Sequence, residues 1–257
     1  FMASASEDGT VRIWSADTRS YLLSLRGHNS PIWAVDWSPE GSYLATGSYD
    51  GTMRLWRMEH HYPLRMFVGH AADVDCVAFH PNCNYIVTGG TDRTIRIWDA
   101  YTGDKVRIFR GHVTGVTAVR FSPDGKSLVS GGENGEVYIW DVGSERMVHR
   151  LAGHEDIITA VDFSYGKESL LVTGCVDCSL RFWDIAAADK SVQQEDSNVN
   201  MVAKEENEEL FGVPDKGVES SSILTPVKTL RTKNTPVVTA RFGLTNVVFG
   251  CGAPEVL

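Results

Sequence analysis

Short apolar runs alternate with polar turns along most of this chain, and the alternation repeats every 42 residues. Aligned on that period, Val35, Val77, Val119 and Val161 form one column, with Ala240 in a last, divergent repeat. Two positions later an aromatic stands every time: Trp37, Phe79, Phe121, Phe163 and Phe242. A spacing of two puts both columns on one face of a β-strand. Ala34, Cys76, Ala118 and Ala160, one position before the valines, are small or apolar, as a strand covered on both faces requires. Turns with proline at positions 39, 81 and 123 end this strand, and a second strand carries Leu44, Ile86 and Leu128. Tight turns follow at Asp8-Gly9, Asp50-Gly51, Asp92-Arg93, Asn134-Gly135 and Asp177-Cys178. They predict two-residue hairpins in which both central residues take positive φ. A third strand runs into a tryptophan, and a fourth, such as Val106–Phe109, leads to the next repeat. Four short antiparallel strands cannot bury both their faces alone, so the repeats must stack radially as blades. The pattern gives three strands before Gly27, four full blades between about 33 and 230, and two strands at 237–251, or 21 in all.

A second set of columns is polar. Gly-His recurs at 27–28, 69–70, 111–112 and 153–154. Trp56, Trp98 and Trp140 lie 28 residues after each histidine, Trp183 lies 29 after, and Trp14 precedes Trp56 by one period. Hydroxyls stand at Ser4, Thr46, Thr88, Ser130 and Thr173, and the turns supply Asp8, Asp50, Asp92, Asn134 and Asp177. A buried carboxylate needs donors, and imidazole (His28, His70, His112, His154), hydroxyl and indole N–H provide them. A Ser-His-Asp catalytic set would occur once, whereas this one recurs blade after blade and therefore reads as structural. Asn134 carries no charge, so the third network should be the weakest. Arg12, Arg54, Arg96 and Arg181, two residues before a tryptophan, are expected to stack and pair locally.

A repeat of this length, with Gly-His early and Trp-Asp late, resembles the WD40 family of β-propellers. Several stretches narrow the resemblance: Pro63–Tyr85, Val106–Phe109, Ser6–Trp14, Thr232–Val238 and an acidic insert in the penultimate blade. They are similar to the propeller of the WD40 subunit of transcription factor TFIID, the TBP-associated factor five family. That resemblance implies an all-β, seven-bladed propeller of which this chain covers about 21 of 28 strands. A five-bladed ring, closed by 237–242 joining the first three strands, is the minority alternative. It also implies a nuclear, non-enzymatic scaffold of TFIID, and in some lineages of the SAGA coactivator. Its propeller would dock on histone-fold subunits in support of RNA polymerase II pre-initiation complex assembly. The alternative is another WD40 adaptor, a reader of histone tails or degrons, which needs aromatic and acidic residues at the channel mouth. Trp33 and Asp75 begin equivalent strands and qualify, while Thr117 and Thr159 in the same column look bland. His60, His61, Tyr62 and Pro63 replace ordinary polar residues on the strand before the second Gly-His and are a candidate docking edge.

Composition narrows the function classes. A net charge of −9 and a pI near 5.4 argue against a nucleic-acid footprint. No apolar run reaches the roughly 18 residues of a membrane span. The N-terminus lacks the basic and apolar regions of a signal peptide and enters mid-repeat, which suggests a fragment. Five cysteines are a sparse, odd set that suits free thiols. Cys175-x-x-Cys178 has zinc-ligand spacing but no second pair and straddles a hairpin. Gly125-Lys126-Ser127 lacks the upstream glycine of a phosphate loop, and His154-Glu155 lacks the second histidine of a metalloprotease. No cofactor, metal or small-molecule substrate is expected. Residues 186–225 hold nine Asp/Glu against three Lys and few apolar side chains, so an acidic disordered insert is expected there. Leu210–Val213 within it is a candidate partner motif, and deleting 190–222 should leave the fold standing.

Overall fold

The computed structural model describes residues 1–165, 170–185, 222–232, 235–242 and 248–252. Its strands form six sheets, in chain order. An N-terminal sheet holds β1 (Met2–Ala5), β2 (Thr10–Trp14) and β3 (Tyr21–Arg26). Blade one holds β4 (Ile32–Trp37), β5 (Tyr43–Ser48), β6 (Thr52–Arg57) and β7 (Arg65–Val68). Blade two holds β8 (Val74–Phe79), β9 (Tyr85–Gly90), β10 (Thr94–Asp99) and β11 (Lys105–Arg110). Blade three holds β12 (Val116–Phe121), β13 (Ser127–Gly132), β14 (Val137–Asp141) and β15 (Met147–Leu151). Blade four holds β16 (Ile158–Phe163), β17 (Leu170–Cys175), β18 (Ser179–Asp184) and, beyond the insert, β20 (Lys228–Arg231). β21 (Val237–Phe242) pairs with β22 (Val248–Gly252).

The expected 3-4-4-4-4-2 arrangement is thus present, with one addition. β19 (Ser222–Leu224) lies parallel to β15, placing Leu224 opposite Leu151, and makes blade three five-stranded. Residues 222–224 were expected within the disordered insert and are a strand instead. The two apolar residues Ile223 and Leu224 close a stretch that is otherwise mostly acidic and polar. The disorder expected for 186–221, the Leu210–Val213 motif and Lys233 lie outside the described residues.

Packing follows from burial between sheets. Core clusters sit at the interfaces between successive sheets. Val11, Ile13 and Leu25 of the N-terminal sheet meet Leu44 and Trp56 of blade one, and blade one's Phe67 meets Trp98 of blade two. The pattern continues through Phe109 with Trp140 and through Leu151 with Trp183, and ends with Val172 against Val237 and Phe242. Each fully buried side chain of this size contributes roughly 1.5–3 kcal/mol, so removing one sheet would expose its neighbour's face. The five-bladed alternative is not formed: β21 packs on β16 and β17, and among the described residues it joins no strand of the N-terminal sheet.

The hairpin expectation needs correction. Gly9, Gly51, Arg93, Gly135 and Cys178 have positive φ, but the Asp or Asn before each does not. In blade one the Gly51 N–H donates to Ser48 O at 3.1 Å while Asp50 Oδ1 accepts the Thr52 N–H at 2.9 Å. A type I turn followed by one left-handed residue results, and the aspartate is retained for its side chain rather than for its own φ.

Two threonines tie blade to blade. The Thr117 hydroxyl donates to Ile158 O of blade four, and the Thr159 hydroxyl donates to Val237 O of the C-terminal sheet. These residues, bland in the sequence, are structural. Thr117→Val and Thr159→Val keep the shape and lose the bond, so each should lower stability by about 1–2 kcal/mol. Urea unfolding of each variant measures this, and a Thr→Val change that left the midpoint unmoved would remove the tie from the account.

Candidate functional site

In blade one His28 Nδ1 lies 2.8 Å from Asp50 and Nε2 lies 2.8 Å from Thr46 Oγ1, while Trp56 Nε1 donates to the same hydroxyl at 2.9 Å. The proton order is fixed by the ends of the chain. The carboxylate can only accept, so Nδ1 carries the proton; the indole can only donate, so the threonine hydroxyl accepts from Trp56 and donates to Nε2. Blade two repeats this with His70, Asp92 (2.9 Å), Thr88 (2.7 Å) and Trp98 (2.8 Å). Blade four repeats it with His154, Asp177 (3.0 Å), Thr173 (2.7 Å) and Trp183 (3.0 Å). The N-terminal sheet carries the part its strands allow, with Trp14 donating to Ser4 at 2.9 Å and Asp8 paired with Arg12 at 2.9 Å. The arginine column pairs as expected, Arg96 with Asp92 at 3.3 Å and Arg181 with Asp177 at 3.8 Å.

The glycine before each histidine has its own reason, which spacing alone did not reveal. A Cβ at Gly69 would stand 2.7 Å from Arg96 Nη1 and 3.0 Å from Trp98 Cη2. At Gly27, Gly69 and Gly111 a Cβ would stand 2.9–3.0 Å from the indole rim, so the backbone passes close under the ring and a side chain there would force it to shift.

Blade three replaces the set in concert. His112 Nε2 meets Ser130 at 2.6 Å, and Trp140 donates to that hydroxyl at 2.8 Å, but His112 Nδ1 has no partner. Asn134 instead donates to Glu136 at 2.8 Å, and Glu136 also accepts from Tyr138 at 2.5 Å and from Arg150. Glu136 and Tyr138 occupy the positions of Thr94 and Arg96 in blade two. The blade's carboxylate has moved from residue 134 to residue 136, and the imidazole is left without it.

Charge states follow. Burial pushes His28, His70 and His154 below the ordinary imidazole range, against the pull of their aspartates. Burial raises Asp50, but hydrogen bonds from Thr52 and His28 outweigh it and its pKa falls. Asp177 is lowered to about 2 by Ser179 and His154 in the same way, against its own burial. His112, buried and lacking an aspartate, is lowered to about 4. Because His112 stays neutral in the fold while the unfolded chain takes up a proton below its ordinary pKa of 6.5, its contribution to stability is full above that pH and is lost as pH falls toward 4.

His154, Cys175 and Asp177 place donor atoms within 4.8 Å of one another. Those donors are in use: Cys175 donates to Asp156 O at 3.1 Å and accepts the Asp177 N–H at 3.3 Å, its thiol pushed up to about 12 by burial. The His154–Asp177 pair is the one blades one and two form without any cysteine. Cys76, Cys83, Cys175 and Cys178 are free thiols.

The candidate partner residues are scattered. Trp33 is exposed on β4, and Asp75 on the neighbouring β8 is half-buried, its pKa raised to about 6 by burial with Asp73 and Glu133 adding to it. His60, His61, Tyr62 and Pro63 do not lie on a strand. They form the connection from β6 to β7, where the His60 and Tyr62 rings stack at 5.1 Å and His61 O accepts the Arg26 N–H at 3.5 Å. Pro63 keeps the strand from starting earlier, since its nitrogen cannot donate. Sequence reasoning missed Asp36, Arg120, Asp162 and Arg241, which line one cavity. Their column stands between the valine and aromatic columns, and its signal is charge where the flanking positions are apolar.

Comparison with known proteins agrees with this geometry. A family model described as the IFT122 first beta-propeller matches residues 1–216. The WD40 repeat-containing protein HOS15 of Arabidopsis thaliana is 43% identical over 44 residues, 17% of this chain and 7% of that protein. Coronin-7 of Mus musculus is 48% identical over 44 residues, 17% of this chain and 5% of its own length. Ribosome assembly protein 4 of Chaetomium thermophilum is 42% identical over 43 residues, 17% of this chain and 8% of its own length. The chain therefore spans less than a tenth of the length of each of these curated relatives, about one repeat.

Two predictions test the network. His70→Ala and Asp92→Ala should each cost about 1–3 kcal/mol by stranding buried partners, and Asn134→Ala should cost less. If all three kept full stability while an activity was lost, the network would be functional instead. In blade three, Asn134→Asp alone should destabilise, because it sets a second carboxylate beside Glu136. Adding Glu136→Thr and Tyr138→Arg should recover the loss and raise the His112 pKa, read by NMR titration of its ring. An unchanged titration would show that the concerted replacement has no bearing on His112.

Proposed function

This chain belongs to the WD40 β-propellers, within the family of the first IFT122 propeller, and we propose that it is a non-enzymatic scaffold that binds protein partners. One observation carries the reading. The histidines, hydroxyls and aspartates that could do acid–base or nucleophilic chemistry are bonded to one another in blade after blade, with the tryptophan, hydroxyl and imidazole all buried. The blades differ in their exposed surfaces as well as in blade three's altered network, and the exposed surface is where a scaffold distinguishes its partners.

The finer reading is a nuclear subunit of TFIID, or of a SAGA-type coactivator, that docks on histone-fold subunits. Its support is the sequence resemblance in Pro63–Tyr85, Ser6–Trp14 and Thr232–Val238. Affinity purification from nuclear extract with mass spectrometry tests it. Recovery of histone-fold TBP-associated factors is the expected result, and a reproducible set of partners without them would sink it. The double change His60→Glu and His61→Glu adds negative charge to the connection that carries the stacked His60–Tyr62 pair. It should weaken that recovery while the circular dichroism spectrum stays unchanged; unaltered recovery moves the interface off this connection.

A second reading has its own observation. Trp33 is 46% exposed and stands beside the strand that carries Asp75, whose neighbours Asp73 and Glu133 make that end of the inner strands acidic. An aromatic face with carboxylates suits a lysine-bearing tail. Binding of a histone tail peptide that is lost in Trp33→Ala, with histone-fold recovery unaffected, would favour this reader over the TFIID scaffold.

A further inference from the structure

The position between the valine and aromatic columns of the innermost strands is charged in four strands of five. It holds Asp36 in β4, Arg120 in β12, Asp162 in β16 and Arg241 in β21, with Ala78 in β8. These four side chains and the rings of Trp37, Phe79, Phe121 and Phe163 line a cavity of about 440 Å³ beside the proline turns. That volume holds one or two large side chains and falls in the usual range for ligand pockets.

The charges are not interchangeable. Asp36 accepts the Phe79 N–H at 2.9 Å, and Asp162 accepts the Phe242 N–H at 2.7 Å. Arg120 reaches across blade two, where Ala78 leaves room, to lie 3.3 Å from Asp36 with its Nε 3.6 Å from Asp162. One guanidinium is thereby shared by two carboxylates that are each also bonded to a backbone N–H. Among the described residues no carboxylate lies within ion-pair distance of Arg241, which is exposed at the cavity; Asp36 and Asp162 attract it at longer range and Arg120 repels it. A guanidinium still stays protonated, so Arg241 keeps hydrogen-bond donors free of a close carboxylate among the described residues lining the cavity.

We propose that this cavity is a docking pocket for the carboxylate of a glutamate or aspartate flanked by apolar residues, in an extended segment of a protein partner. Charge complementarity to Arg241 selects the carboxylate, and Tyr165, exposed at the cavity's edge, meets its apolar flanks. The walls themselves argue for a peptide over a free anion. Phe79, Phe121 and Phe163 are only 5–6% exposed, so the pocket grips a small area and depends on contacts made outside it, including exposed Tyr165 at its edge. The inference deepens the scaffold reading and rests on it only for the partner being a protein; no particular complex is required.

Calorimetric titration of the full-length protein with a capped Phe-Glu-Phe peptide, the matching Phe-Gln-Phe peptide and free propionate tests the pocket. The expected result is at least tenfold tighter binding of the glutamate peptide than of the glutamine peptide. Arg241→Gln should abolish the difference and Arg241→Lys should retain part of it, both with an unchanged melting temperature. Equal binding of the two peptides, or an Arg241→Gln protein that still discriminates, overturns the proposal. Propionate binding as tightly as the glutamate peptide overturns the assignment to a protein partner. Failure to recover histone-fold subunits with peptide discrimination intact would count against the TFIID reading alone.

Discussion

A hydroxyl with no access to water is the constraint on which each blade depends. Thr46, Thr88, Ser130 and Thr173 are all fully buried, and each stands between an indole N–H and an imidazole nitrogen. A hydroxyl can donate once and accept, so it is one of the few groups that can join a donor to an acceptor without a charge of its own. Replacing it with a methyl would orphan two partners at once, whereas replacing a surface turn residue strands nothing. The neutral, tautomer-locked histidine, the lowered aspartate and the glycine under the indole rim all follow from that placement.

Neighbour dependence is the second consequence. No sheet covers its own faces, and every core cluster is shared by two of them. The polar columns work within a blade, while the apolar columns and the Thr117 and Thr159 hydroxyls work between blades. The two sets meet at the tryptophans, which bond within a blade and pack on the sheet before it, and blade three's altered network reaches an interface too, because Tyr138 packs in the core shared with blade two. In the same way Asp36 and Asp162 hold the backbone of the next sheet while their charges remain available to Arg120.

Much of this was legible in the sequence, because a period of 42 residues writes each position several times. The strands, the Trp–Thr–His–Asp bonding and the local pairing of the arginines could be read from columns that recur from repeat to repeat. What could not be read was what occurs once. The parallel strand at Ser222–Leu224 has no counterpart in other blades, and its few apolar residues were outweighed by acidic neighbours. Glu136 and Tyr138 became interpretable only when their side chains were seen around Asn134. The charged column at residues 36, 120, 162 and 241 changes sign from blade to blade, so no consensus drew attention to it. The turn conformation differs from the expected one for another reason. Asp-Gly is compatible with two hairpin types, and the aspartate's side-chain bond to the Thr52 N–H decides between them.

β19 has a bearing on how the array comes apart. It belongs by hydrogen bonding to blade three, through His149, Arg150 and Leu151, yet by chain connection it lies between β18 and β20 of blade four. In a linear array of repeats, stability is a sum of unit terms and nearest-neighbour terms. A strand shared in this way adds to one neighbour term alone, so β15 cannot fray while β19 stays paired, and freeing β19 loosens the return path to β20. β19 thus ties blade three to the segment that completes blade four, a strand exchange that no other pair of neighbouring sheets shows among the described residues.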